Sequence, residues 1–263
     1  MVGGAVLLSL AGVSKEFRRG DARLRVLDDV SLTVDAGEVV AVVAVRGQGK
    51  STLLRVAAGL QDPDGGRVLL DGEDLARVRE RELARLLRKQ IGVAGRDGPR
   101  LRVPVLEYVA LRALIGAGRR RDRREVHALA HAALARVGVP AARAGERWES
   151  LSALDRALVE IAQATVTGPR LLLVDDVTDG LSARESERVA ALLRALARER
   201  RMGVLMGCSG GEVALAACRV HGLARGVLSL ISDPARHERG GPGRALRTGT
   251  GGGPRRGRQV AHY

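Results

Sequence analysis

The sequence predicts an α/β fold with a parallel-sheet core, an antiparallel β lobe and an inserted helical lobe. The stretches Val39–Val45 and Leu171–Val174 are continuously apolar, as expected for strands that are buried on both faces. Alternating apolar and polar residues at Ala5–Val13 and Val26–Val34 predict half-buried antiparallel strands. Helical periodicity between residues 105 and 137, interrupted by an arginine-rich run, predicts the helical lobe.

Turn, cap and periodicity signals predict the other elements. These are a helix at Lys50–Gly59, a strand at Arg67–Leu70, helices at Ser150–Val166 and Arg184–Arg198, and a short strand at Gly203–Gly207. We expect residues 1–232 to form one nucleotide-binding domain, within which residues 97–168 make the helical lobe. Residues 233–263 are rich in Gly, Arg and Pro without apolar periodicity, which predicts a disordered tail.

The composition excludes several classes of protein. The formal net charge of +14 invites a nucleic-acid interpretation. Aromatic residues make up only 2% of the chain, too few for a base-stacking platform, so we do not expect a nucleic-acid partner. No apolar run reaches the roughly 18 to 20 residues that a membrane span needs. Cys208 and Cys218 lack the spacing of a metal or disulfide motif, which fits a reducing compartment.

The segment after the strand at Val39 nearly matches the phosphate-loop pattern, in which two glycines flank four positions before Lys and Ser or Thr. The candidate nucleotide-binding residues in this loop are Ala44, Arg46, Gly47, Gln48, Gly49, Lys50, Ser51 and Thr52. Backbone N–H groups in such a loop surround phosphate oxygens, and the following helix adds its positive dipole end. We expect Lys50 to reach the β- and γ-phosphates and Ser51 to ligate Mg²⁺. Ala44 replaces the first glycine, and a Gly-rich turn without a ligand is the alternative.

An acidic pair follows the second buried strand. Asp175 and Asp176 stand at its carboxyl end, which is where ligands bind in open parallel sheets. We expect Asp175 to hold Mg²⁺ and Asp176 to orient the attacking water or accept its proton. A solvated loop or a helix cap is the alternative for the pair alone. Its combination with a phosphate loop favours the functional interpretation.

These motifs resemble those of the ATP-binding subunits of ABC transporters, over about residues 5–230. The resemblance implies a P-loop NTPase fold with a RecA-like core, and ATP and Mg²⁺ as cofactors. Phe17 falls where the family stacks an aromatic ring on adenine, although a packing role suits it equally. The stretch Leu75–Gly92 is most similar to the subgroup that serves lipoprotein release and macrolide export. The resemblance also implies a transmembrane permease partner, a second nucleotide-binding subunit, and a cytoplasmic location at the inner membrane face through the permease.

The family's signature, Leu-Ser-Gly-Gly-Gln, is altered in this chain. Ser152 is kept as a nucleotide-binding candidate, but Ala153 and Leu154 replace the two glycines. Those glycines let backbone N–H groups approach the γ-phosphate bound on the opposite subunit. Asp155 replaces Gln and adds a negative charge, so we expect closure of two subunits around ATP to be weakened.

Four further positions depart from the family pattern. Asp176 is one methylene shorter than the usual catalytic Glu, and Cys208 aligns with the switch His. Arg96 aligns with the metal- and water-sensing Gln, and Ser182 replaces an Asp in the loop that crosses the dimer interface. The motif substitutions together predict a site that binds Mg-ATP but hydrolyses it slowly.

Four hypotheses follow from the sequence. The leading one is an ATP-binding subunit that drives or regulates a permease, with weak hydrolysis at its own site and in some assemblies a competent partner subunit. The second is a fully active homodimeric transporter ATPase. The third is a soluble nucleic-acid-associated regulator, favoured only by the charge, and the fourth is an inactive product of a decaying gene.

Overall fold

A computed structural model describes residues 5–20, 22–95, 98, 102–117, 122–210 and 217–233 of the chain. Its strands are β1 (Val6–Arg19), β2 (Ala22–Asp35), β3 (Val39–Val43), β4 (Gly65–Leu70), β5 (Glu73–Asp74), β6 (Ile91–Gly95), β7 (Leu171–Asp175), β8 (Gly203–Cys208), β9 (Arg219–Ala224) and β10 (Val227–Ser232). Its α-helices are α1 (Lys50–Ala57), α2 (Glu80–Lys89), α3 (Val105–Ala117), α4 (Arg123–Arg136), α5 (Ala153–Thr165) and α6 (Ala183–Arg200).

The central sheet has six strands in the order β10-β9-β3-β8-β7-β6, and all its pairs except β10-β9 are parallel. Successive residues of β3 point to opposite faces. Val40 and Val42 pack in one apolar cluster with α1 and the antiparallel sheet, whereas Val39 and Ala41 pack in a second cluster with α5 and α6. Burial on both faces explains why β3 and β7 are apolar without alternation. The predicted α/β class is confirmed.

The antiparallel lobe is a four-stranded sheet in the order β2-β1-β4-β5. Strands β1 and β2 are longer than the sequence predicts, because their pairing continues to Arg19 and Ala22 at the hairpin tip. The helical lobe consists of α3, α4 and α5, which contact one another. The arginine-rich run that divides α3 from α4 falls partly outside the described residues.

Several elements differ from the sequence prediction. Helix α2 and strands β5, β6, β9 and β10 have no counterpart among the elements predicted from the pattern. Ser152 is the N-cap of α5, and its hydroxyl accepts a hydrogen bond from the Asp155 N–H. The predicted tail lies outside the described residues apart from Asp233. In the described part of the chain, no helix has the length and apolar character that a membrane crossing requires.

A buried histidine lies on β9, the strand that pairs with β3. His221 is 8% exposed, and its Nε2 has no hydrogen-bond partner among the described residues. Burial lowers the pKa of His221, and the neighbouring Arg219 lowers this pKa further. Arg219 is itself held by Glu38, with a distance of 2.6 Å between Nε and Oε1. His221 is therefore held in its neutral form in the folded protein.

Replacing His221 by Gln should flatten the dependence of folding stability on pH. Because the pKa of His221 is depressed in the folded state, the unfolded chain takes up the proton first as the pH falls through about 6.5. The native protein should lose stability there, with a slope approaching about 1.4 kcal/mol per pH unit, and the variant should lack this component. Urea unfolding between pH 7.5 and 5.5 measures both slopes. Equal slopes would contradict a neutral buried His221.

Candidate nucleotide-binding site

The phosphate loop connects the end of β3 to the start of α1. Gly47 and Gly49 have φ angles of 81° and 102°, which side chains rarely adopt. A Cβ on Gly49 would also lie 2.9 Å from the carbonyl oxygen of Val26, so this position requires glycine. Ala44 does not have a positive φ, and its methyl group therefore causes no backbone strain at the position of the family's first glycine.

Lys50 is buried at the start of α1, with an exposure of 4%. Its ammonium Nζ donates to the carbonyl oxygen of Ala44 at 2.8 Å and to Ser209 Oγ at 3.1 Å. The Asp176 carboxylate is 3.4 Å away and supplies the opposite charge. The ammonium therefore lies at the point where β3, β7 and β8 end, in the position expected for a group that binds phosphate.

Asp175 ends β7 beside the start of α1. Burial raises its pKa, while a hydrogen bond with Ser51 opposes the rise. Its Oδ1 is buried and has no hydrogen-bond partner among the described residues. A buried carboxylate oxygen beside a hydroxyl fits a hard cation such as Mg²⁺, which takes its remaining ligands from water and phosphate oxygens. Ser51 and Asp175 would hold Mg²⁺, and the ion would offset the charge of the phosphates.

In the part of the chain that the structure describes, no cluster of three or more His, Cys, Asp or Glu side chains could form a metal cage.

Asp176 adopts a left-handed backbone conformation, with φ 49°. Its N–H donates to the carbonyl oxygen of Gly207 at 3.0 Å, which joins the end of β7 to β8. Ser209 Oγ donates to Asp176 Oδ1 at 3.1 Å while also accepting from Lys50. The carboxylate is therefore directed towards Lys50, and Ser209 bridges the two charged groups.

Cys208, which the sequence assigns to the switch position, is buried, and its neighbour Ser209 makes the polar contacts at the site. Cys208 is 1% exposed, and its Sγ lies 3.9 Å from the carbonyl oxygen of Val42. Burial raises the pKa of Cys208 to about 11, so the thiol is neutral. The side chain of this last β8 residue packs in the core, whereas Ser209 follows the strand at the open edge of the sheet. Sequence reasoning missed Ser209, although its place directly after a core strand was a usable signal.

The altered signature segment is paired within the chain. Ser152 Oγ donates to Asp155 Oδ2 at 2.6 Å while accepting the Asp155 N–H. Arg143 Nη1 lies 2.9 Å from Asp155 Oδ2, so the added negative charge is partly neutralised. The repulsion expected from Asp155 is accordingly smaller than the sequence alone implies. At the two positions where the family has glycine, Ala153 is exposed and Leu154 is partly buried against the apolar core.

The other predicted residues occupy different places. Phe17 is 38% exposed on β1, and the Lys15 ammonium lies 6.0 Å from the centre of its ring. Gln48 Oε1 accepts the Arg225 N–H at 2.9 Å, so its side chain supports the β9-β10 turn. Ser182 caps α6 in a capping box. Arg96, predicted at the sensing position, lies outside the described residues.

A cavity of about 360 Å³ lies against the phosphate loop. Its lining residues are Val26, Arg46, Gly47, Gly49, Lys50, Ser51, Thr52 and Asp176. The volume is within the range of small-molecule sites, and a loop with two left-handed glycines beside a buried ammonium suits an anionic phosphate chain. Phe17 does not line this cavity.

Comparison with known proteins agrees with this geometry. The model of the family described as ABC transporter matches residues 27–179. The lipoprotein-releasing system ATP-binding protein LolD of Shewanella sp. (strain MR-7) is 34% identical over 235 residues, which cover 88% of this chain and 98% of that protein. The chain belongs to the ABC transporter family of ATP-binding subunits. The predicted family, fold class and cofactors, ATP with Mg²⁺, are confirmed.

Other relatives are larger proteins that contain a similar cassette. The macrolide export ATP-binding/permease protein MacB of Azoarcus sp. (strain BH72) is 34% identical over 240 residues. The match covers 91% of this chain but 36% of that protein. The predicted resemblance to the lipoprotein-release and macrolide-export subgroup is therefore also confirmed.

Solved ABC cassettes have the same fold. A dimeric ATP-binding cassette in a post-hydrolysis state, bound to ADP and phosphate, has a TM-score of 0.78 and 25% identity, and the match covers 86% of this chain and 99% of that one. A component of an ABC transporter complex from Clostridium perfringens has a TM-score of 0.76 and 22% identity, over 89% and 91% of the two chains.

Proposed function

We propose that this ABC cassette binds Mg-ATP and hydrolyses it slowly, and that it acts with a membrane permease and a second ATP-binding subunit. The observation that carries the proposal is the arrangement of Lys50, Ser209 and Asp176 at the edge of the sheet. Lys50, Ser51 and Asp175, which would bind phosphate and Mg²⁺, are retained, whereas the group that would activate water is shortened and held by neighbours.

Slow hydrolysis follows from the reach of Asp176. Its carboxylate is bound by Ser209 at 3.1 Å and lies 3.4 Å from the Lys50 ammonium. A side chain one methylene longer would extend further from the strand end towards an attacking water. A misplacement of about 1 Å in a catalytic group costs on the order of a hundredfold in rate. Retained binding with reduced turnover is the expected result.

A second candidate is a fully active homodimeric ATPase. The Arg143–Asp155 ion pair favours it, because the pair reduces the charge that would repel ATP bound on an opposite subunit. The shortened Asp176 and the side chains of Ala153 and Leu154 are not compensated in this way. We therefore keep the slow site as the leading proposal.

The permease partner needs a docking surface, and an apolar groove between α3 and α4 suits this role. The groove has a volume of about 480 Å³. Leu111 and Leu114 line it and are 42% and 46% exposed, while Glu107 at the rim is paired with Arg123 and His127. Exposed apolar side chains rimmed by polar ones mark interaction sites. The proposed occupant is a short amphipathic segment of the permease, which would hold the subunit at the inner membrane face.

Replacing Asp176 by Glu should raise the rate of ATP hydrolysis by about tenfold or more, because the longer side chain restores reach towards the attacking water. The affinity for Mg-ATP should change little. Steady-state phosphate release and equilibrium binding of Mg-ATP measure the two effects.

Two variants control this experiment. Asp62→Glu makes the same chemical change at an exposed position outside the cavity and should leave turnover unchanged. Lys50→Ala should abolish binding and so identify any contaminating ATPase. A native turnover rate that is already typical of active ATPases, and that Lys50→Ala abolishes, would contradict the slow-site proposal.

Placing Asp at both Leu111 and Leu114 should detach the protein from membranes, because burying two carboxylates in an apolar contact is unfavourable. Fractionation of the cells that naturally produce the chain measures the share in the membrane pellet. Leu24→Asp, at a residue 55% exposed on β2, is the matched control and should behave like the native protein. Unchanged sedimentation of the double variant would contradict docking through the groove.

A further inference from the structure

Arg46 is a second cationic side chain in the phosphate loop. It lines the same cavity as Lys50, but its guanidinium Nη2 is paired with the Asp179 carboxylate, in the turn after β7. The side chains of Arg46 and Asp179 are 65% and 29% exposed. The loop therefore presents one buried cation and one exposed cation to the cavity.

The two cations differ in how firmly they are held. Lys50 is 3% exposed at its side chain and has three partners, so its position is set by the strand ends around it. The exposed pair of Arg46 and Asp179 is screened by water, and pairs of this kind contribute little to stability. Arg46 can therefore exchange one anionic partner for another at little cost.

The position of Asp179 places this exchange next to Asp176, the residue that we expect to activate water. The Asp179 N–H donates to the carbonyl oxygen of Asp176 at 3.1 Å, so both carboxylates belong to one turn. Asp176 borders the cavity beside Lys50, where the terminal phosphate of a bound nucleotide is expected. A guanidinium presents a planar fork of N–H donors that can form two parallel hydrogen bonds with phosphate oxygens. Its present contact with the Asp179 carboxylate is weakened by exposure to water.

We propose that Arg46 is a specificity residue that exchanges Asp179 for the terminal phosphate of ATP, and so distinguishes ATP from ADP. The inference rests on the proposed binding of Mg-ATP by the phosphate loop. Lys50 contacts whichever nucleotide is present, whereas Arg46 gains its new partner only when a third phosphate is bound.

The exchange would also affect α5, the helix that begins within the altered signature segment, in a way that depends on the bound nucleotide. Asp179 lines a second cavity of about 120 Å³ together with Ala153 and Arg156 from the start of α5. When Arg46 moves to phosphate, the contact between Arg46 and Asp179 is lost beside the start of α5. ATP, but not ADP, would therefore change the surroundings of the altered signature segment.

Equilibrium titrations with Mg-ADP and with the Mg²⁺ complex of a non-hydrolysable ATP analogue test the proposal on the full chain. Arg46→Ala should weaken binding of the analogue by about tenfold or more, the loss expected for a charge-assisted hydrogen bond, and leave ADP affinity unchanged. Arg46→Lys should give a smaller loss, because it keeps the charge without the fork. Asp179→Asn should tighten binding of the analogue, because the competing carboxylate is removed.

A double-variant cycle separates exchange from independent effects. In the Arg46→Ala background, Asp179→Asn should no longer affect the analogue. The matched control is Arg77→Ala, which removes an exposed arginine that pairs with Asp74 at 3.6 Å outside the cavity lining. This control should bind both nucleotides like the native chain.

Different results would overturn the role of Arg46 and the proposed nucleotide site. Equal losses for both nucleotides in Arg46→Ala, no loss for either, or an Asp179→Asn effect that persists without Arg46 would overturn the role of Arg46 alone. Absence of binding by the native chain, or unchanged binding in Lys50→Ala, would overturn the proposed nucleotide site itself.

Discussion

The site depends on one buried ammonium group at the carboxyl edge of the parallel sheet. Removing a charge such as that of Lys50 from water costs several kcal/mol unless partners offset it. Its partners are Ala44 after β3, Ser209 after β8 and Asp176 after β7, so one cation joins the ends of three adjacent strands. A phosphate chain would enter a place already organised around positive charge. The same contacts hold the shortened carboxylate near the ammonium.

Much of the fold was predictable because its core strands are buried on both faces. The apolar runs of β3 and β7 and the alternation in β1 and β2 predict those strands without tertiary information. Strand β6 was missed because two of its five residues are glycine, which weakens any strand pattern. One of them, Gly92, is needed for packing, since a Cβ there would lie 2.3 Å from the carbonyl oxygen of Ala164 on α5. This close contact forms only in the folded protein, so no local sequence pattern indicates it.

The parts of the site that could be predicted are those whose functional residues are close together in the sequence. The loop from Ala44 to Thr52 and the Asp175-Asp176 pair both follow core strands, and the structure brings them together. Cys208 shows the limit, because the sequence assigned it to the switch position, whereas the structure places Ser209 at the edge. The pairing of Asp155 with Arg143 was also missed, since the two residues lie on separate segments that meet only in the folded lobe.

We expect this cassette to retain ATP for longer than an active ATPase takes to cleave it. The most direct test incubates the purified chain with Mg-ATP labelled in the γ-phosphate, removes free nucleotide by rapid desalting, and identifies the bound nucleotide over time. Labelled ATP should stay bound in near-stoichiometric amount, with little phosphate released, and Lys50→Ala should retain none. Prompt release of labelled phosphate over repeated turnovers, with ADP as the bound species, would rule out a slow site.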